Sequence, residues 1–201
     1  MKIAERIILG DLNKFQHGEA WEQAETEIEA AIHAVVWPPG AIDFTIQPAR
    51  KGNGVVPIKA ECMSSLKAAG WEVERRFGIP GDVRPGPIDA QKEINGDVIL
   101  LEWETGNISS SHRALNKMAV GIKSTNAIAG VLIVPSADCA KYLTDRIGNI
   151  RELRPYFPIW EEWASSYGFL AIYVVEHDNV DSDVQLIGKG LDGRARGAVR
   201  A

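Results

Sequence analysis

Cysteine is scarce in this chain of 201 residues, where only Cys62 and Cys139 occur. Both fall in stretches with helical patterning and neither has a C-x-x-C partner. That excludes a structural zinc centre and a disulfide framework, and fits a reducing compartment. Long hydrophobic runs are missing too. The apolar run within the N-terminal MKIAERIILGDLNK is far too short for a secretion-signal core or a membrane span, so a soluble, cytoplasmic protein without a membrane partner is expected. Positive charge is in deficit, with 22 Lys and Arg against 27 Asp and Glu and a net charge of -5, which weighs against any role that grips phosphates. The acids are unevenly placed, however, with Glu19, Glu22, Glu25, Glu27 and Glu29 in one early stretch. Internal repeats and low-complexity segments are absent. What remains is an ordinary globular composition, 45% apolar and 24% charged, long enough for one domain that buries about 70% of its unfolded surface.

The stretch that organises the chain is Pro87 to Thr105, PIDAQKEINGDVILLEWET. It reads as a hairpin bent at Asn95-Gly96, since both residues accept the positive φ that a two-residue turn demands. The returning strand opens with the unbroken apolar run Val98-Ile99-Leu100-Leu101, as a strand buried on both faces would, and ends in Glu102-Trp103-Glu104. Alternation puts Glu102 and Glu104 on one face and Trp103 on the other. Closure at the turn brings Asp89 opposite the glutamate pair. Three converging carboxylates repel one another unless cations sit between them, and hard oxygen donors suit Mg²⁺, with Mn²⁺ as a substitute. The chemistry natural to such a site is metal-assisted phosphoester hydrolysis.

Asp89, twelve residues, then Glu102-x-Glu104 at the end of a hydrophobic strand resembles the catalytic signature of the PD-(D/E)xK nucleases. More narrowly, it is similar to type II restriction endonucleases of the BamHI and BglII kind. Here the chain carries Pro87-Ile88-Asp89 in place of a direct Pro-Asp, and Glu104 where most of the superfamily has lysine. The second departure narrows the likeness to the BamHI-like branch and leaves the general base open. The resemblance spans roughly residues 50 to 177.

The rest of the chain reads as a mixed α/β core. His17 to Val36 carries Trp21, Ala24, Ile28, Ala31, Ile32 and Val35 at helical spacing, and its glutamates form a solvated face. Ile42 to Ile46 is strand-like, and Arg50-Lys51-Gly52-Asn53-Gly54 is either a flexible surface turn or a DNA-backbone contact. Pro57 starts a helix over 58–69, closed by Gly70. Trp71 to Phe77 alternates as the first strand of the core sheet should. The loop from Gly78 to Gly86, with Asp82 and Arg84, is of a length that touches substrate. Serine caps then open a helix with a buried stripe of Leu115, Met118, Ala119 and Ile122. Ala129 to Pro135 and Phe169 to Glu176 are buried, parallel strands, with helices over 137–147 and 156–167 between them. Residues 188–201 form a flexible tail with four cations against one acid.

The resemblance implies a restriction-endonuclease-like α/β fold, a central mixed β-sheet flanked by α-helices, in a single nuclease domain over 1–201. Within it lie an N-terminal helix and loop region (1–56), a catalytic core (57–177) and the basic tail. It implies a Mg²⁺-dependent homodimer that hydrolyses both strands of double-stranded DNA at a palindromic site and leaves 5′-phosphate ends. Asp89 and Glu102 would be metal ligands, Glu104 a ligand or general base, and Glu61, from the preceding helix, either a further ligand or merely solvated. Asn107, Ser109, Ser110, His112, Arg113, Asn116 and Lys117 face outward beside the acids, as DNA contacts or as an ordinary solvent face. Arg50 and Lys51 join them if their loop meets the backbone. The alternatives are a structure-specific or repair nuclease on the same core, and a non-catalytic module that binds nucleic acid or protein.

Overall fold

The computed structural model describes residues 1–76 and 85–189; Asp82, Arg84 and the cations of the tail beyond Lys189 lie outside the described residues. Strands are β1 (Lys2–Asp11), β2 (Thr45–Ile46), β3 (Glu72–Arg75), β4 (Ile88–Ile94), β5 (Asp97–Trp103), β6 (Ala127–Pro135), β7 (Phe169–Glu176) and β8 (Asn179–Val180). Helices are α1 (Glu19–His33), α2 (Val56–Ala68), α3 (Ile108–Ser124), α4 (Ala137–Ala140), α5 (Ile150–Leu153) and α6 (Phe157–Tyr167).

A six-stranded sheet runs in the order β1-β7-β6-β5-β4-β3. β5, β6 and β7 are parallel, and both flanks are antiparallel. The central strands bury both faces, as their unbroken apolar runs require. Ile99, Leu101, Val131 and Ile133 pack on one side against Ala24, Ile28 and Ile32 of α1 and Ile58, Cys62 and Leu66 of α2. Leu100, Leu132, Leu170 and Ile172 pack on the other against Leu115 and Met118 of α3 and Trp160 and Ala164 of α6. The β4–β5 hairpin closes where expected: Ile94 pairs with Asp97, and Asn95 and Gly96 take φ of 54° and 92°.

Several expectations fail. The core sheet starts with β1, not at Trp71, so the region 1–56 contributes an edge strand as well as a helix. Its alternation is blunted by Glu5, Arg6 and two register irregularities against β7. The 42–46 strand shrinks to β2, which pairs with β8 in a separate sheet, and Ile42 is exposed. The helix expected over 137–147 stops at Ala140, and α5 appears instead, held by an Asn149–Glu152 capping box. Asn107, not a serine, caps α3, its side chain accepting from the Ser110 amide. Among the described residues no helix is long and apolar enough to cross a membrane.

Candidate active site

β4 and β5 stop pairing at their open end. The ladder runs from Ile94–Asp97 to Ala90–Leu101, and one residue further on the Asp89 carboxylate takes the place of a backbone acceptor. Its Oδ2 accepts from the Trp103 amide at 2.9 Å. β5 meanwhile stays paired with β6 through Trp103, and the Glu104 amide donates to the Ile133 carbonyl at 2.9 Å. The acids are thereby fixed to the rim of the sheet by main-chain hydrogen bonds.

Their charges are compensated from both layers. Lys59 Nζ, from α2, lies 2.6 Å from Asp89 Oδ1. Lys117 Nζ, from α3, lies 2.5 Å from Glu102 Oε1 and donates to the Pro87 carbonyl at 2.8 Å. Both carboxylates are buried, Asp89 at 8% and Glu102 at 1% exposure. Burial first, and then the Asp89 charge, push Glu102 up to about 7 against the opposing pull of Lys117. Burial and Asp89 likewise raise Glu104, with Lys59 and Arg113 opposing. The Asp89 charge thus acts on both glutamates.

The expected triangle of acids takes a different form. Among the described residues no three Asp, Glu, His or Cys side chains are grouped closely enough to hold a metal ion. Ammonium groups stand beside Asp89 and Glu102 and offset the cost of placing two carboxylates in the interior on neighbouring strands. The donor set still fits a hard divalent cation: it is all oxygen, and the two glutamates have a raised affinity for positive charge. Glu61 is exposed. Two positions along a helix turn the side chain by about 200°, so Lys59, not Glu61, is the α2 residue that faces the site.

Lys59 and Glu104 line a cleft of about 260 Å³ with Gly54, Trp103, Gly106 and Thr144. On the outer face of α3, Arg113, Asn116 and Lys117 line a second, of about 520 Å³, with Pro87. Asn107, Ser109, Arg113 and Asn116 are exposed, as expected, and Ser110 is half-buried. Two residues depart from expectation. Lys117 turns inward onto Glu102, and His112 packs on Tyr156 and Trp160, its ring centroid 4.5 Å and 5.3 Å from theirs. Arg50 and Lys51 are exposed on a loop held by buried hydrogen bonds: the fully buried Asn53 donates to the Gln47 and Tyr142 carbonyls and accepts from the Ile187 amide. The role of Lys59 was missed because its only sequence signal is its place beside the Ile58, Cys62, Leu66 stripe.

Comparison with known proteins gives the chain a family. The family model described as "Restriction endonuclease BamHI" matches residues 1–194. The chain belongs to the BamHI restriction endonuclease family. It is 55% identical to the type II restriction enzyme OkrAI of Oceanobacter kriegii over 169 residues, 84% of this chain and 87% of that one. To the type II restriction enzyme BamHI of Bacillus amyloliquefaciens it is 36% identical over 188 residues, 89% and 85% of the two chains. In fold it is similar to the BglII endonuclease in a crystal structure with a DNA 16-mer, at a TM-score of 0.59 and 12% identity over 89% of this chain and 79% of that one. Membership in the BamHI family makes the protein a type II restriction endonuclease, a site-specific deoxyribonuclease that binds DNA, in a class that generally uses divalent metal ions.

Proposed function

We propose that the protein is a Mg²⁺-dependent homodimer of the cytoplasm that cuts double-stranded DNA at a palindromic site and leaves 5′-phosphate ends, with Asp89, Glu102 and Glu104 carrying the chemistry. The supporting observation is the Asp89 carboxylate, pinned to the Trp103 amide and Lys59 at the rim of a cleft, beside two glutamates whose proton affinity burial, and then the Asp89 charge, raise.

Asp89 and Glu102 are the metal ligands in this reading; Mg²⁺, or Mn²⁺ in its place, would neutralise charge on the scissile phosphate and lower the pKa of the attacking water. Lys59 sets the orientation of Asp89 and adds positive charge toward the phosphate. Glu104 accepts the water proton on its carboxylate, a role its raised affinity suits because a base nearer neutrality takes a proton with more driving force. Asn107, Ser109, Arg113 and Asn116, exposed at the N-terminal half of α3, contact the duplex. A two-fold protein matches a palindrome, each protomer cutting one strand.

Plasmid digestion with Mg²⁺ or Mn²⁺ tests the reading. Discrete fragments with 5′-phosphate ends are expected from the wild type, whereas Asp89→Asn should lose cleavage by at least about a thousandfold while still folding and binding duplex. A smear would point to a nuclease without sequence preference, and full activity in Asp89→Asn would remove Asp89 from the site.

A further inference from the structure

Two lysines meet the buried acids, and Lys117 lies the deeper of the two. Its side chain is 12% exposed and that of Glu102 2%, against 36% for Lys59 in the matching pair with Asp89. The ammonium makes two bonds, at 2.5 Å to Glu102 Oε1 and at 2.8 Å to the Pro87 carbonyl. One group thereby joins three pieces of chain: the end of β5, the residue before β4's first and the middle of α3.

The two acids are held unequally. Asp89 is fixed from two sides, by the Trp103 amide and by Lys59. Among the described residues Lys117 alone bonds the Glu102 carboxylate. A glutamate has several rotamers open to it, so a single partner decides where its carboxylate stands. That partner is itself anchored, because Leu115 and Met118, which flank it in α3, are buried against the sheet. Lys117 lines the outer cleft with Arg113, one helical turn earlier, and Asn116, yet its charge is committed inward. Drawing the ammonium out toward a phosphate would strand Glu102 without its counter-charge, which is costly in the interior.

We propose that Lys117 is a positioning residue for the cleavage reaction, holding the Glu102 carboxylate in register with Asp89 and tying it to α3, and that it makes no phosphate contact of its own. The inference rests on the proposed role of Glu102 and extends it to the residue that sets its place. Side chains one step behind a metal-binding carboxylate orient it, and losing one costs about tenfold to a hundredfold.

Two measurements test the role. In the wild type in EDTA, lysine acylation followed by mass spectrometry should label Lys117 far more slowly than the exposed Lys67, at a rate that added duplex leaves unchanged. Lys117→Met, which keeps the stem, should bind a duplex carrying the mapped cut site with wild-type affinity and salt dependence in EDTA. With Mg²⁺ and saturating enzyme it should nonetheless cut that duplex about tenfold to a hundredfold more slowly in a single turnover. Lys117→Arg, which restores a cation able to bond both oxygens, should recover most of the rate. A Lys117 that labels as fast as Lys67 until duplex protects it, or a salt slope flattened by about 0.9 in Lys117→Met, marks a phosphate contact and overturns the proposal. A smaller cut fraction at the wild-type rate marks mere support of the fold and overturns it equally. Wild-type protein that makes no discrete metal-dependent cuts overturns the proposed reaction instead, and the positioning role with it.

Discussion

Asp89 and Glu102 present the same electrostatic conflict, two buried carboxylates on adjacent strands, resolved by a lysine from each helical layer. The resolution is partial, and Glu102 keeps its proton to about pH 7. Between the ordinary 4.5 and about 7 the folded protein binds more protons at this group than the unfolded chain does, so stability is full below that window and falls as pH rises through it. The shift corresponds to roughly 3 kcal/mol at most. In EDTA the melting temperature should therefore drop from pH 5 to pH 8, and Mg²⁺ should flatten the drop by favouring the ionised form; a flat profile in EDTA would count against the raised proton affinity of the buried carboxylate. Lys59 and Glu61 of α2 should separate cleanly. Lys59→Ala should slow single-turnover cleavage by about a hundredfold or more, because it removes charge at Asp89 and the phosphate, whereas Glu61→Ala should stay within about twofold. Equal losses in both would restore Glu61 to the site.

At the scale of elements, the open end of the hairpin and the start of α3 are held against the segment before α5 by a backbone contact. A Cβ placed on Gly148 would lie 2.8 Å from the Ile108 backbone, closer than real contacts come, where its amide bonds the Gly106 carbonyl. Gly148→Ala should force α3 and the Glu104 turn apart, at a cost of about 1–3 kcal/mol. Thermal denaturation should show a fall of several degrees, and cleavage at low DNA concentration should drop about tenfold; wild-type values for both would show that the two segments move independently. Nothing in the sequence marks this junction, because a glycine needed for close approach looks like any other loop glycine. The Asn95-Gly96 turn, by contrast, was legible: its two residues and the strands beside them specify the bend locally.

Across the whole molecule, α3 and α6 cover one face of the sheet but leave Val120, Tyr156, Ile159 and Tyr167 exposed. The proposed homodimer predicts a particle of twice the monomer mass in sedimentation equilibrium at micromolar concentration, and a strictly monomeric active enzyme would remove the two-fold reading. By itself the sequence determined the mixed α/β class, the hairpin, the apolar central strands and the placing of Asp89, Glu102 and Glu104 at the open end of that hairpin, because alternation, turn chemistry and uninterrupted burial are local patterns. Only the tertiary structure decided that β1 closes the far edge of the sheet, that a lysine stands beside each of Asp89 and Glu102, that Lys117 turns inward, and that His112 packs among rings. Each of those depends on which distant segments meet, and partners 30 residues away, as with Lys59 and Asp89, leave no periodic trace in either stretch.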